Sequence, residues 1–251
     1  MIDSIKEYLK KKLTFKQFFL ARRVALWFLS IGIRGNLNKL GRLCKTDKVL
    51  LHNFTPHYMF HFRKFRFKRI RMLEIGVGGD ENPFKGGNSL WMWKKYFPFG
   101  QIFAVDIHDK SSLQESRIRI FQGSQADEAF LKSIESETGE LDIIIDDGSH
   151  MNDHVIETFR IMFPKLKNGG IYVIEDTQTS YYKDYGGDSV NLNVLGTSMG
   201  FFKSLVDSLN YREFEIPNYE PTYYDKNIVS MHFYYNLVII HKGNNDEKSN
   251  T

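Results

Sequence analysis

The sequence predicts an α/β protein: a doubly wound, mostly parallel sheet that closes on an antiparallel hairpin strand and follows an N-terminal helical arm. Three observations carry this. Short unbroken apolar runs rich in β-branched residues recur, and such runs read as strands buried on both faces. Helical periodicity separates them, so the crossovers are helices and the strands run parallel. Two β-rich runs near the C terminus, residues 228–233 and 236–241, are too close for a helical crossover and must pair as a hairpin.

The chain has 251 residues, 42% hydrophobic and 25% charged, enough for one large domain plus an appendage. A single cysteine, Cys44, excludes a disulfide framework and fits a reducing compartment, so a cytoplasmic location is expected. The net charge of +4 is unevenly spread: up to Arg71 the basic residues far outnumber Asp3, Glu7 and Asp47. That bias suggests an anionic partner for the N-terminal part, a membrane surface or substrate phosphates.

Residues 1–43 read as a basic amphipathic arm. Phe15, Phe18, Phe19, Val24, Leu26, Trp27 and Leu29 make a wide apolar face, with Lys10 to Lys12, Lys16, Arg22 and Arg23 elsewhere. Such an arm packs on the main domain or on another subunit; the alternative is peripheral membrane contact as an interfacial anchor. The apolar run 24–33 is too short to span a bilayer, and no small-residue cleavage site follows Ile33. The basic-aromatic run RKFRFKR has no nucleic-acid motif beside it, so it reads as a solvated helix face and no nucleic-acid partner is expected.

The main domain is expected over residues 44–243, with a disordered tail from 244 to 251. Residues 71–79 read as a first strand and a glycine-rich turn, where Gly76 and Gly78 let backbone approach a ligand. Glu81 stands where a dinucleotide fingerprint needs its third glycine, which argues against NAD. A helix over 88–97 leads to a second strand, 101–107. Its Asp106, at the strand tip, is placed to accept both hydroxyls of a ribose. A third strand, 118–123, is followed by a loop through Ser124 and Gln125, then by a helix over 129–137.

Residues 141–182 form the centre of the pattern. The runs Ile143 to Ile145 and Ile171 to Ile174 end in paired acids, Asp146 with Asp147 and Glu175 with Asp176. Between them Val155, Phe159, Met162 and Leu166 recur at helical spacing, with Asn168, Gly169 and Gly170 as the helix stop. Four carboxylates at neighbouring strand tips, with His150 one short turn away, repel one another, and a cation between them is the simplest resolution. Oxygen donors without a nearby cysteine suit Mg²⁺ or Mn²⁺. A further helix is expected over 196–210.

The strand–helix units, the Glu74-x-Gly76-x-Gly78 turn, the acid at the second strand tip and the terminal hairpin resemble a class I S-adenosylmethionine-dependent methyltransferase, a Rossmann-like fold with seven strands. DDGSH, a helix and then GGIYVIEDTQTSY is the more specific pattern. It resembles the metal-dependent sugar O-methyltransferases typified by the mycinamicin 2''-O-methyltransferase and its rhamnosyl-modifying relatives; CmcI-like proteins share part of it. The likeness runs over about residues 45–242 and leaves the arm outside.

The resemblance implies Mg²⁺ on Asp147, Glu175 and Asp176, with His150 as the catalytic base. It implies S-adenosylmethionine beside Glu74, Gly76, Gly78, Asp106, Ser124, Gln125, Asp146 and Lys48. It also implies a homo-oligomer, a dimer or tetramer, whose N-terminal segments help to form the site. Thr177, Gln178, Tyr181 and Tyr182 are expected to meet the sugar, and Thr46, Lys48, His52 and Tyr58 to close over the site. The expected acceptor is a nucleotide-sugar, polysaccharide precursor or glycoside. Alternatives are a catechol or another vicinal diol, and a non-catalytic membrane-surface assembly protein with a degenerate fold.

Overall fold

The structure is a computed structural model and describes residues 14–246. Lys10 to Lys12 and residues 247–251 of the expected tail lie outside the described residues. The helices are α1 (Phe15–Ser30), α2 (Leu37–Cys44), α3 (Asp47–Leu50), α4 (Thr55–Phe62), α5 (Asn88–Tyr96), α6 (Glu128–Thr138), α7 (Asn152–Met162), α8 (Ser198–Ser204) and α9 (Tyr223–Asn227). The strands are β1 (Arg71–Ile75), β2 (Gln101–Asp106), β3 (Ile118–Gln122), β4 (Leu141–Asp146), β5 (Leu166–Glu175), β6 (Ile228–Tyr234) and β7 (Leu237–Lys242).

The seven strands make one sheet in the order β3-β2-β1-β4-β5-β7-β6. β1 to β5 pair in parallel, and β7 runs antiparallel to both β5 and β6. The hairpin turns through Tyr235 and Asn236, and Asn236 has φ 56°, a left-handed conformation that Asn tolerates. The chain reverses its winding between β1 and β4, so their carboxyl ends open a crevice.

Alternate residues of each strand feed two cores. Met72, Ile143, Ile145, Ile171 and Val173 face the layer of Leu37, Leu40, Phe62 and Trp93. Leu73, Ile75, Ile144, Tyr172 and Ile174 face Leu131, Val155, Phe159 and Phe202. Apolar side chains on both faces are why these strands read as unbroken runs.

Four sequence expectations are corrected. The helix after β4 ends at Met162, because Pro164 follows in a short 3₁₀ turn and proline cannot continue the ladder. Leu166 therefore opens β5, and Asn168, Gly169 and Gly170 lie inside that strand, at a register shift against β4. The 196–210 helix is shorter: α8 ends at Ser204 and a kinked 3₁₀ segment, Asp207–Glu213, takes over. The basic-aromatic run is a turn and not a helix face, since α4 stops at Phe62 and buried Phe65 ends a 3₁₀ turn. The arm's apolar face is only partly docked: Leu26 is buried, while Val24, Trp27, Phe28 and Leu29 are exposed. Arg22 anchors α1 by donating to Asn88 Oδ1 at 3.0 Å and lying 4.2 Å over the Trp91 ring.

Candidate active site

The crevice at the carboxyl ends of β1, β2 and β4 encloses about 620 Å³, within the usual range for small-molecule sites. Gly76, Gly78, Asp106, Ser124, Gln125, Asp147, His150 and Asp176 line it, together with Thr46. Gly76 has φ 94°, and a side chain there would come within 2.0 Å of the Asp147 carbonyl oxygen, so only glycine lets the β1 tip lie against the β4 tip. Gly78 has φ 75° with open space where a Cβ would stand. Asp106 is locked in place: its Oδ2 accepts from the Val77 amide and its Oδ1 from the His108 amide, each at 2.9 Å.

Three of the expected cofactor residues, Glu74, Asp146 and Lys48, stand behind the crevice wall. Glu74 is fully buried; its Oε2 accepts from Ser89 Oγ and Trp93 Nε1, both at 3.0 Å. Asp146 is buried as well, with its Oδ1 accepting from Gln125 Nε2 at 3.1 Å. Burial pushes both carboxyls up to about 7. Gln125 also accepts from the Ser149 amide at 2.6 Å, so it ties the β3 loop to the β4 tip.

The acids expected to bind a metal divide into two groups. Asp147, His150 and Asp176 each offer one ligand atom, and these atoms lie within 4.8 Å of one another. His150 Nε2 stands 3.9 Å from Asp147 Oδ1 and 3.8 Å from Asp176 Oδ2. Glu175 is buried behind them, where Tyr58 donates to its Oε1. Lys48 joins the two groups. Its Nζ is 2.6 Å from Asp147 Oδ2, 2.8 Å from Glu175 and 3.1 Å from Glu74 Oε1. Burial alone would lower the Lys48 pKa, but Asp147, Glu175 and Glu74 outweigh it and hold the ammonium well above its ordinary value. Burial, then the charge of Asp147, raises Glu175 well above the carboxylate range. Lys48 therefore belongs to the acid cluster and does not reach the crevice.

His150 and Asp176 both have left-handed backbones, φ 58° and 51°, uncommon for residues with side chains. These turns aim the two side chains back over the strand tips. Asp176 Oδ1 is buried with no hydrogen-bond donor, although His52 Nε2 is 3.6 Å away. An orphaned anionic oxygen beside a second carboxylate and an imidazole, with no cysteine near, fits a hard divalent cation.

The loop after β5 starts as a 3₁₀ turn, Thr177–Tyr181. Thr177 is buried, Gln178 Oε1 is buried without a partner, and Tyr181 and Tyr182 are partly exposed. Asn152, on α7, holds this loop. Its Nδ2 donates to the carbonyls of Thr179 and Tyr185, and its Oδ1 accepts from the Ser198 amide at 2.6 Å. Sequence reasoning missed Asn152. It also missed Lys110, whose ammonium donates to the carbonyls of Asp80 and Asn82 and ties down the loop after Gly79.

No family model matches the chain. Mycinamicin VI 2''-O-methyltransferase of Micromonospora griseorubida is 50% identical over 214 residues, covering 84% of this chain and 54% of that relative. Demethylmacrocin O-methyltransferase of Streptomyces fradiae is 44% identical over 235 residues, 92% of this chain and 60% of the relative. A solved structure of the MycE methyltransferase in complex with Mg and SAH superposes with a TM-score of 0.82 at 48% identity, covering 84% of this chain and 55% of that one. Another holds Mg, SAH and mycinamycin VI, with a TM-score of 0.81. The chain spans a little over half the length of the curated relatives it matches, and its sheet and helices have the MycE methyltransferase fold.

Proposed function

We propose that this chain, a homologue of the sugar O-methyltransferases, transfers a methyl group from S-adenosylmethionine to a sugar hydroxyl in the presence of Mg²⁺. The observation that carries the reading is one crevice lined both by a glycine turn with Asp106 and by Asp147, Asp176 and His150. The backbone at Gly76 and Gly78 and the Asp106 carboxylate are suited to the nucleoside half of the cofactor. Asp147 and Asp176 are the acids that would hold the metal, and Glu175 backs them through Lys48. When bound, the cofactor supplies an electrophilic methyl group, and Mg²⁺ makes a coordinated hydroxyl easier to ionise.

His150 Nε2 is the group we assign as the base that takes the hydroxyl proton. Asp147 Oδ1 and Asp176 Oδ2 flank the ring at 3.9 and 3.8 Å, which keeps it beside the acids. Tyr181 and Tyr182 offer aromatic faces to the sugar, on a loop fixed by Asn152. We further propose a homo-oligomer, through the apolar side chains that α1 leaves exposed. No described helix is long and apolar enough to cross a membrane.

The test is a mass-spectrometric screen for methyl gain across rhamnosyl and other glycosides, nucleotide-sugars and catechols. The gain is expected on a sugar, to vanish in EDTA and to return with Mg²⁺. His150→Ala is expected to lose about 10²–10⁴-fold in rate while calorimetry still registers S-adenosylmethionine binding. Full activity in EDTA, or in His150→Ala, refutes the chemistry; methylation of catechols alone refutes the substrate class.

A further inference from the structure

Tyr58 points from α4 to the acid cluster, and one turn later the same helix carries His61 to a different place. His61 is buried and faces the terminal hairpin, where His232 on β6 and His241 on β7 meet it. Ser230 is the cross-strand partner of His241, so His232 is its diagonal neighbour on the same sheet face. The ring centroids are 4.5 Å apart for His61 and His232, 5.0 Å for His61 and His241, and 5.3 Å for His232 and His241. One ring nitrogen from each lies within 4.8 Å of the other two.

We propose that His61, His232 and His241 form a second metal site, for a borderline divalent transition-metal ion such as Zn²⁺, which pins α4 to the β6–β7 hairpin. Three imidazoles with no carboxylate among them suit zinc, copper or nickel and disfavour magnesium, so the site is chemically distinct from the acids at Asp147 and Asp176. Imidazole ligates in its neutral form, and these rings are neutral at ordinary pH. Burial, then repulsion from neighbouring His232, His57 and Lys64, pushes His61 down to about 4, and burial with His61 beside it pushes His241 to about 3.

The rings are also oriented from behind. His61 Nδ1 is 2.8 Å from His241 Nε2, and His61 Nε2 is 2.9 Å from the Tyr234 hydroxyl. Tyr234 is itself fixed by the His57 ring stacked on it at 3.7 Å. With Nδ1 as ligand, His61 carries its proton on Nε2 and donates it to Tyr234, the outer-shell arrangement that fixes a ligand's tautomer. Binding breaks the hydrogen bond between His61 and His241, the proton of His241 moving from Nε2 to Nδ1 as the ring changes tautomer; the two nitrogens separate to about 3.3 Å, set by zinc–nitrogen bonds of about 2.0–2.1 Å in a tetrahedron. Solvent takes the fourth position.

The full chain, held in excess Mg²⁺ so that the acid site is occupied, is dialysed against Zn²⁺ and its zinc content measured. Co²⁺ then serves as the absorbing probe of coordination number. The wild type is expected to bind zinc, and His232→Gln and His241→Asn each to weaken binding by at least about tenfold, the scale on which even outer partners of ligating histidines act. Asp176→Asn is expected to keep the zinc, and zinc to raise the melting temperature of the wild type but not of His232→Gln. His232 is partly exposed, so His232→Gln decides the matter if His241→Asn does not fold. Absence of zinc uptake by the wild type, uptake unchanged in a folded His232→Gln, or uptake lost only in Asp176→Asn overturns the site.

Discussion

Replacing Lys48 with methionine removes the one ammonium among Asp147, Glu175 and Glu74 while keeping most of the side-chain volume. At about 2.8 Å each contact is worth about 6 kcal/mol of gross attraction at an effective dielectric of about 20. The cost of desolvating Lys48 cancels most of that, and removing one partner of a buried ion pair costs about 3–5 kcal/mol. The loss depends on pH with a definite sign. Burial already raises Glu74 from 4.5 to about 7 with Lys48 in place, and without it the buried acids rise further. Such an acid keeps a proton in the folded state that the unfolded chain releases, so stability falls as pH rises through that window. The deficit of Lys48→Met against wild type is therefore largest at about pH 8 and shrinks by about pH 5.5, where the orphaned acids are neutral. Urea unfolding followed by circular dichroism at both pH values reads it. A deficit below about 1 kcal/mol at the higher pH, the scale of an exposed pair, or a deficit that widens on acidification refutes the reasoning.

Asn152→Ala is expected to raise the KM for the acceptor more than it lowers kcat, because it frees the carbonyls of Thr179 and Tyr185; hydrogen exchange over residues 177–198 should quicken, and unchanged exchange would count against the role. Phe159 is fully buried against Phe163, Tyr172 and Phe202, so Phe159→Ala should cost about 3–5 kcal/mol in urea unfolding. In metal-free protein the histidine cluster should make stability fall on acidification. The unfolded chain takes up a proton near pH 6.5 that folded His61 refuses until about 4, so stability present above that window is lost as pH falls through it. His61→Gln should flatten that slope in melts between those pH values.

Strands and their order along the chain were legible because both sheet faces are apolar and the runs are β-branched. The meeting of Asp147, Asp176 and His150 was legible because the two acids directly follow β4 and β5 and His150 stands on the short turn after β4. Lys48 was not assigned to the acids, since its partners Asp147 and Glu175 lie 99 and 127 residues away and one sequence does not display that pairing. Asn152 and Lys110 escaped for the same reason: each acts through backbone carbonyls or amides that the fold brings to it. The misplaced helix end had a local cause. Gly169 and Gly170 look like a stop, but Pro164 had already ended the helix, and the glycines serve a bulge in β5.

The left-handed backbones of His150 and Asp176 set the chain's resistance to heat against its chemistry. Glycine adopts that conformation freely, whereas each side chain held there stores about 1–3 kcal/mol of strain. A directed-evolution campaign scored only on survival of heating would drift toward smaller residues at both positions and deliver robust proteins that have lost the side chains proposed to react. Hardening this scaffold safely means working elsewhere, on the half-docked arm or the 207–213 segment, and leaving those two corners tense.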